Sequence, residues 1–227
     1  MDTDRKWVVV RIDGKIAAIS TDYRMLASIS SRLADRTTFQ GDGNDKSAGA
    51  EDKGRSRRKT AAGKSGLYGE ITAVTVEMDE VWKLRQEAKW EDLMLFGTDF
   101  QKKVWRKLWE LTHPSGHDGA APIEEHVGLI CYSDFAELCE NRAGVRAVAH
   151  AVGLNPISVI IPCHLVIPKE SIDRIREIRK KAEATIFKGD DLCIKSIIMD
   201  QGIDFGNYAL GRELKRQLIS IELAPFI

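Results

Sequence analysis

Cys163 and His164 stand side by side in the stretch NPISVIIPCHLVIP, residues 155–168, inside a run of aliphatic residues punctuated by three prolines. A thiol is mostly protonated at neutral pH and becomes a nucleophile only beside a base or a positive charge. An imidazole is the side chain best suited to take that proton near neutrality. Against this stands the ordinary fate of a cysteine in an apolar run, which is inert packing. In an extended strand, neighbouring side chains also point to opposite faces. Pro162 can impose a turn that redirects the pair toward one site. The dipeptide alone leaves both readings open, filler or nucleophile.

The elements that must position the pair are legible in outline. The chain has 227 residues, 43% of them hydrophobic, enough for one sizeable core or two small ones. Lys plus Arg and Asp plus Glu each number 34, so the net charge is zero and the total neither demands nor excludes a nucleic-acid partner. A stretch of about 18 apolar residues, as a membrane span requires, is missing from the sequence, and the N-terminal MDTDRKWVVVRIDG does not read as a signal peptide. Cys131, Cys139, Cys163 and Cys193 make no CxxC pair, so neither a disulfide framework nor a structural zinc site is expected, and a reducing compartment is the default.

KWVVVRIDGKIAAIST holds two β-type runs around Asp13-Gly14, a hairpin signal. DYRMLASISSRLAD has near-helical apolar spacing. Residues 40–66, rich in Gly, Ser and charge, read as a disordered insertion. LYGEITAVTVEM supplies a strand to complete the hairpin's sheet. Residues 1–92 are thus expected to form a small α+β domain. From residue 93 the texture becomes helical. Thr98 or Asp99 can cap a helix through FQKKVWRKLWEL with Phe100, Val104, Leu108 and Leu111 on one face. YSDFAELCE and VRAVAHAVG, joined by a glycine-containing turn, outline a helix-turn-helix. A charged amphipathic helix, ESIDRIREIRKKAEATI, and a final helix after FGNYALG complete residues 93–227.

GTDFQKKVWRKL, YSDFAELC, VRAVAHAVGLNPISVIIPCHLV and GNYALGRELKRQLISIE, in this order, closely resemble the methylated-DNA–protein-cysteine methyltransferases, also known as O6-alkylguanine-DNA alkyltransferases. The likeness covers roughly residues 97–168 and 206–222; the N-terminal 90 residues match only in general architecture. The resemblance implies an α+β fold: a small, ribonuclease-H-like N-terminal α+β domain, then a mainly helical, winged-helix-like C-terminal domain with a helix-turn-helix. It implies DNA repair in which an O6-alkylguanine is flipped out of duplex DNA and its alkyl group passes irreversibly to Cys163, once per molecule. His164 would be the base, acting through a water, and Glu222 the carboxylate that orients it. Asn155 would hold the active-site turn, and Tyr132 would donate to the guanine as negative charge develops. Arg146 would fill the gap left by the flipped base, from a recognition helix whose small residues, Ala147, Ala149 and Ala151, approach the minor groove. Tyr208, Lys215 and Val159 would belong to the substrate pocket. No cofactor or metal is implied. The partner would be double-stranded DNA containing O6-alkylguanine, the protein a monomer away from membranes, in the cytoplasm (nucleoid-associated) or the nucleus.

Singly, each of these residues has a bland reading: Tyr132 a core tyrosine, Arg146 a solvated helix charge, Glu222 a surface acid, Asn155-Pro156 a turn. Their joint spacing around Pro162-Cys163-His164 is what overturns it. Three features depart from the family. Leu165 stands where an arginine usually follows the histidine. About 25 extra residues separate PCHLVIP from GNY, with Arg174, Arg176, Arg179, Lys180 and Lys181 either contacting phosphates or lining a solvated face. The link PSGHDGAAPIEEHVG is longer than usual. Residues 53–64 are basic and read either as a DNA-tethering arm or as a solvating linker. Three rival functions are a non-transferring alkyltransferase-like damage sensor, which would lack the cysteine, a methyl-responsive transcription regulator, and a Cys-His hydrolase.

Overall fold

In the computed structural model the described residues are 5–22, 70–113, 128–183, 197–198, 200 and 202–223. The expected helix near residues 22–35, the insertion at 40–66 with its basic stretch 53–64, and most of the link before Tyr132 lie outside them.

Strand β1 (Trp7–Ile12) and strand β2 (Lys15–Ser20) pair antiparallel around Asp13-Gly14. Both turn residues have positive φ, 51° and 77°, as a tight turn matched to strand twist demands. Strand β3 (Ile71–Val76) joins the far side of β1, giving the order β2-β1-β3. Helix α1 (Met78–Glu87) follows directly, its first turn closed by Glu80, which accepts from the Glu77 N–H at 3.2 Å.

Helix α2 (Asp99–Glu110) starts at Thr98, whose hydroxyl accepts from the Gln101 N–H while the Gln101 side chain accepts from the Thr98 N–H. That reciprocal box satisfies two of the N–H groups a helix start leaves unpaired. The buried face of α2 is Val104, Trp105, Leu108 and Trp109; Phe100 is exposed, a departure from the expected stripe, because the two tryptophans turn the buried arc away from it. Helices α3 (Tyr132–Leu138) and α4 (Val145–Gly153) are joined through a single 3₁₀ turn at Arg142–Gly144, and α4 lies against α2. Strands β4 (Ile130–Cys131) and β5 (Val166–Ile167) form a short parallel pair. Helix α5 (Lys169–Glu183) and helix α6 (Arg212–Leu223) complete the described elements.

The whole is a mixed α+β protein with small sheets and several helices. One apolar cluster runs without a break from the sheet (Trp7, Val9, Ile16, Ile19) through Val81 to α2, α4 and the residues around Cys163. Edge strand β2 is also tied to the nucleophile's own segment: the Ile19 N–H donates to the Pro156 carbonyl and the Ser158 N–H to the Ile19 carbonyl. A second cluster joins Leu129, Leu165 and Ile167 to Ile172 and Ile175 of α5, Phe205, and Ile219 and Leu223 of α6.

Candidate active site

Asn155 organises the segment that leads to the thiol. Its amide oxygen accepts from the Ile157 N–H (3.0 Å), and its Nδ2 donates to the Ile161 carbonyl (2.8 Å) and to Cys163 Sγ (3.1 Å). Between these anchors Val159 sits at φ 71°, and the Ile160 N–H reaches back to the Ser158 carbonyl. A β-branched residue with positive φ is strained, and such strain persists only where surrounding contacts hold it.

Pro162 ends this segment, and Cys163, His164 and Leu165 form one turn of 3₁₀ helix. With three residues per turn, successive side chains diverge by about 120°. The geometry resolves the question the dipeptide posed. Cys163 faces a cleft, His164 faces Glu222 on α6, and Leu165 enters the second apolar cluster; all three are buried.

The cleft measures about 610 Å³ and is lined by Tyr132, Ala149, Val152, Gly153, Asn155, Ser158, Cys163, Tyr208 and the loop from Asp204 to Ala209, with Pro168 and Arg212 at its edge. Gly206 adopts φ 82° in that loop, and a Cβ there would meet Pro168 Cδ at 3.2 Å, so the turn favours glycine. Burial pushes the Cys163 thiol up from its ordinary value; the Asn155 amide, the Tyr208 hydroxyl 4.0 Å away and the Lys215 ammonium pull the other way. Lys215 is itself buried, donates to the Val166 carbonyl (2.7 Å), and is brought down by burial to about 8. Its ammonium lies 5.9 Å from the Tyr132 ring centre. Burial raises the Tyr132 and Tyr208 hydroxyls, with charge on Cys163 acting in the same direction, so both stay protonated and able to donate.

Behind the thiol, His164 Nε2 meets Glu222 Oε1 at 2.8 Å. His164 is wholly buried, and its Nδ1 is hydrogen-bonded to no described protein atom. Burial lowers the imidazole below its ordinary value; Glu222 opposes this, while Arg85 and Lys215 reinforce it. Arg85, on α1, also binds Glu222, through Nη1 to Oε1 and through Nη2 to Oε2 at 3.2 Å. Burial disfavours the Glu222 charge, yet His164 and Arg85 together hold its carboxyl below the usual carboxylate range.

The expected site residues fall into three groups. Cys163, Asn155, Tyr132 and Tyr208 line the cleft; Lys215 does not line it but is buried beside it, its ammonium near the Tyr132 ring, and His164 and Glu222 form a pair behind it. Arg146 and Ala147 lie in the first turn of α4, both exposed. Two assignments are corrected. Ala151 is 1% exposed, and its carbonyl accepts from the Trp105 indole N–H (2.8 Å), so it faces α2 and is unavailable to a groove. Val159 is fully buried and does not line the cleft; Ser158 next to it does. Neither Arg85 nor Trp82, whose ring meets the His164 ring edge-on at 6.5 Å, was singled out from sequence as a site residue. The only signal was their spacing, three residues apart on one helix face.

Residues 127–184 carry a match to the 6-O-methylguanine DNA methyltransferase DNA binding domain. The chain is 42% identical over 80 residues to a probable methylated-DNA–protein-cysteine methyltransferase of Acanthamoeba polyphaga mimivirus, covering 35% of this chain and 45% of that protein. It is 38% identical over 74 residues to the methylated-DNA–protein-cysteine methyltransferase of Haemophilus influenzae, 33% of this chain and 34% of that one. The chain thus spans less than half the length of these curated relatives. Among solved structures, the O6-methylguanine-DNA methyltransferase of the archaeon Pyrococcus kodakaraensis is 19% identical, covering 96% of this chain and 91% of its own, with a TM-score of 0.43.

Proposed function

We propose that this protein is a methylated-DNA–protein-cysteine methyltransferase that accepts an alkyl group from O6-alkylguanine onto Cys163, once per molecule. The observation that carries the reading is the thiol's position: Sγ at the wall of a cleft between α4 and the Asp204–Ala209 loop, with the Asn155 amide and the Tyr208 hydroxyl beside it and the positive charge of Lys215 acting on it. An alkyl carbon on a base edge is inaccessible inside a duplex, so the nucleotide is extruded into the cleft, with Arg146 at the start of α4 taking its place in the stack. The Cys163 proton passes to His164 through a water. The thiolate attacks the alkyl carbon, the S–C bond forms, and the C–O6 bond breaks. Tyr132 donates to the departing guanine as it gains charge. The thioether that results has no leaving path, so the step is not repeated.

With this reading go its finer structural expectations. The boundary falls between residues 92 and 93, the first part ribonuclease-H-like and the second winged-helix-like with α3 and α4 as its helix-turn-helix. The protein works as a monomer on double-stranded DNA in a reducing compartment. No helix among the described residues is long and apolar enough to cross a membrane.

The test is intact mass after incubation with duplex DNA carrying O6-methylguanine. The expected result is a gain of one methylene mass, mapped to Cys163, at most one per chain and absent in Cys163→Ala. Selective binding to the lesion without any mass gain would replace the transferase reading with that of a damage sensor.

A further inference from the structure

A carboxylate that orients a histidine does so through one oxygen, and in this protein that oxygen is shared. Glu222 Oε1 contacts both His164 Nε2 and Arg85 Nη1, and Arg85 Nη2 closes a two-point grip on Oε2. The guanidinium is largely buried, with side-chain exposure of 8%, and lies 4.8 Å over the Trp82 ring, whose edge geometry with His164 completes the contact. Arg85 therefore has no freedom to swing away, and a planar fork on a planar carboxylate fixes the carboxylate's plane. It comes from α1, whereas His164 and Glu222 come from the opposite end of the chain.

We propose that Arg85 is a positioning residue for the transfer step: it keeps Glu222 ionised and aligned, so that His164 remains neutral with its proton on Nε2 and a free lone pair on Nδ1. This rests on the reading of Cys163 as alkyl acceptor. Without Arg85, an unbalanced carboxylate would face the imidazole in a buried site and favour the imidazolium, which cannot accept the Cys163 proton. With Arg85, the pair Arg85–Glu222 is neutral overall and the histidine is left as a base. The lone pair is uncommitted, since Nδ1 is hydrogen-bonded to no described protein atom. Charged or titratable groups facing His164 are Arg85 from α1, Glu222 and Lys215 from α6, and Cys163 from its own turn. Lys215 acts in the same direction as Arg85 but does not touch Glu222, so it cannot replace the alignment.

The experiment follows the His164 ring by NMR across pH in the full chain without DNA, in the wild type, Arg85→Gln and Arg85→Lys. The expected result is a higher titration midpoint in Arg85→Gln, with Arg85→Lys between the two, because an ammonium keeps the charge but not the two-point grip. The acid limb of the alkyl-transfer rate should move with that midpoint, about tenfold in rate for each pH unit on that limb. If Arg85→Gln does not fold, Arg85→Lys decides alone: a raised midpoint supports the proposal and an unmoved one overturns it. Equal midpoints in all three folded proteins overturn it as well. The ring titration does not depend on any transfer, so a failed transferase assay and a failed Arg85 proposal give different results.

Discussion

The Asn155 side-chain amide donates to the Cys163 sulfur at 3.1 Å while its oxygen accepts from the Ile157 N–H at 3.0 Å. One side chain thus sets both the path of the segment and the environment of the thiol. Asn155→Ala should leave the Ile157 N–H unpaired in the core, at a cost of about 1–3 kcal/mol, while the Ile161 carbonyl keeps the Cys163 N–H as donor. For a chain of this size each lost kcal/mol lowers the melting temperature by roughly 2–4 °C. Asn155→Asp keeps the acceptor but sets a negative oxygen against the sulfur, so it should slow alkylation of Cys163 by a neutral thiol reagent more than its size change explains. Melting curves and the pH dependence of thiol labelling check both; labelling as fast as in the wild type would refute the electrostatic part.

Placing at position 165 the arginine usual in the family the sequence resembles should do harm. Leu165 is 2% exposed among Leu129, Ile172, Ile175 and Ile219, where an arginine would find no carboxylate among the cluster's members. Leu165→Ala should cost about 2–5 kcal/mol by leaving a cavity. Leu165→Arg should cost more, since it adds an unpaired buried charge. Urea denaturation of the two variants gives the order, and a milder loss for the arginine would show that the second cluster opens to solvent.

Acid should weaken the fold through His164. Its native-state value lies below the ordinary 6.5, so between the two the unfolded chain holds a proton that the native chain refuses. The stability it contributes is complete above 6.5 and is lost as pH falls from there through the native-state value. On the alkaline side two groups oppose each other: Lys215, at about 8 against 10.5, favours the native state as pH rises, while the raised Cys163 thiol disfavours it. The clean comparison is therefore the urea midpoint at about pH 7.5 and about pH 5.5. It should fall in the wild type and fall less in His164→Gln.

Much of the fold was legible because it is written in local patterns. Asp13-Gly14 announced its hairpin, Thr98 or Asp99 a helix start that the structure places at Thr98, and the two short helices flanking Arg142–Gly144 their turn. At the site, the cysteine, its histidine and the carboxylate at Glu222 were named from spacing around a known motif, and the structure brings them together. What spacing does not carry is direction. Ala147 and Ala151 are one helical turn apart, yet packing against Trp105 buries the second and leaves the first exposed. Val159 looked like a pocket residue, but its positive φ turns it into the core and leaves Ser158 at the cleft. Arg85 was invisible for a different reason: its contact with Glu222 spans 137 residues, and a lone arginine on a charged helix carries no local mark. Leu165 read as a missing arginine, and the structure shows it as part of the same adaptation that seats α5.

The ladder between Ile19 and the Pro156–Ser158 segment, together with the Arg85–Glu222 pair, also has a kinetic meaning. Both join parts of the chain made early to parts made late, and long-range contacts of this kind form slowly because a large loop must close first. A chain emerging from the ribosome can build its hairpin early, but the Arg85–Glu222–His164 cluster closes only once α6 has been synthesised and docked. On the proposed reading, alkyl acceptance at Cys163 is therefore timed by the arrival of α6.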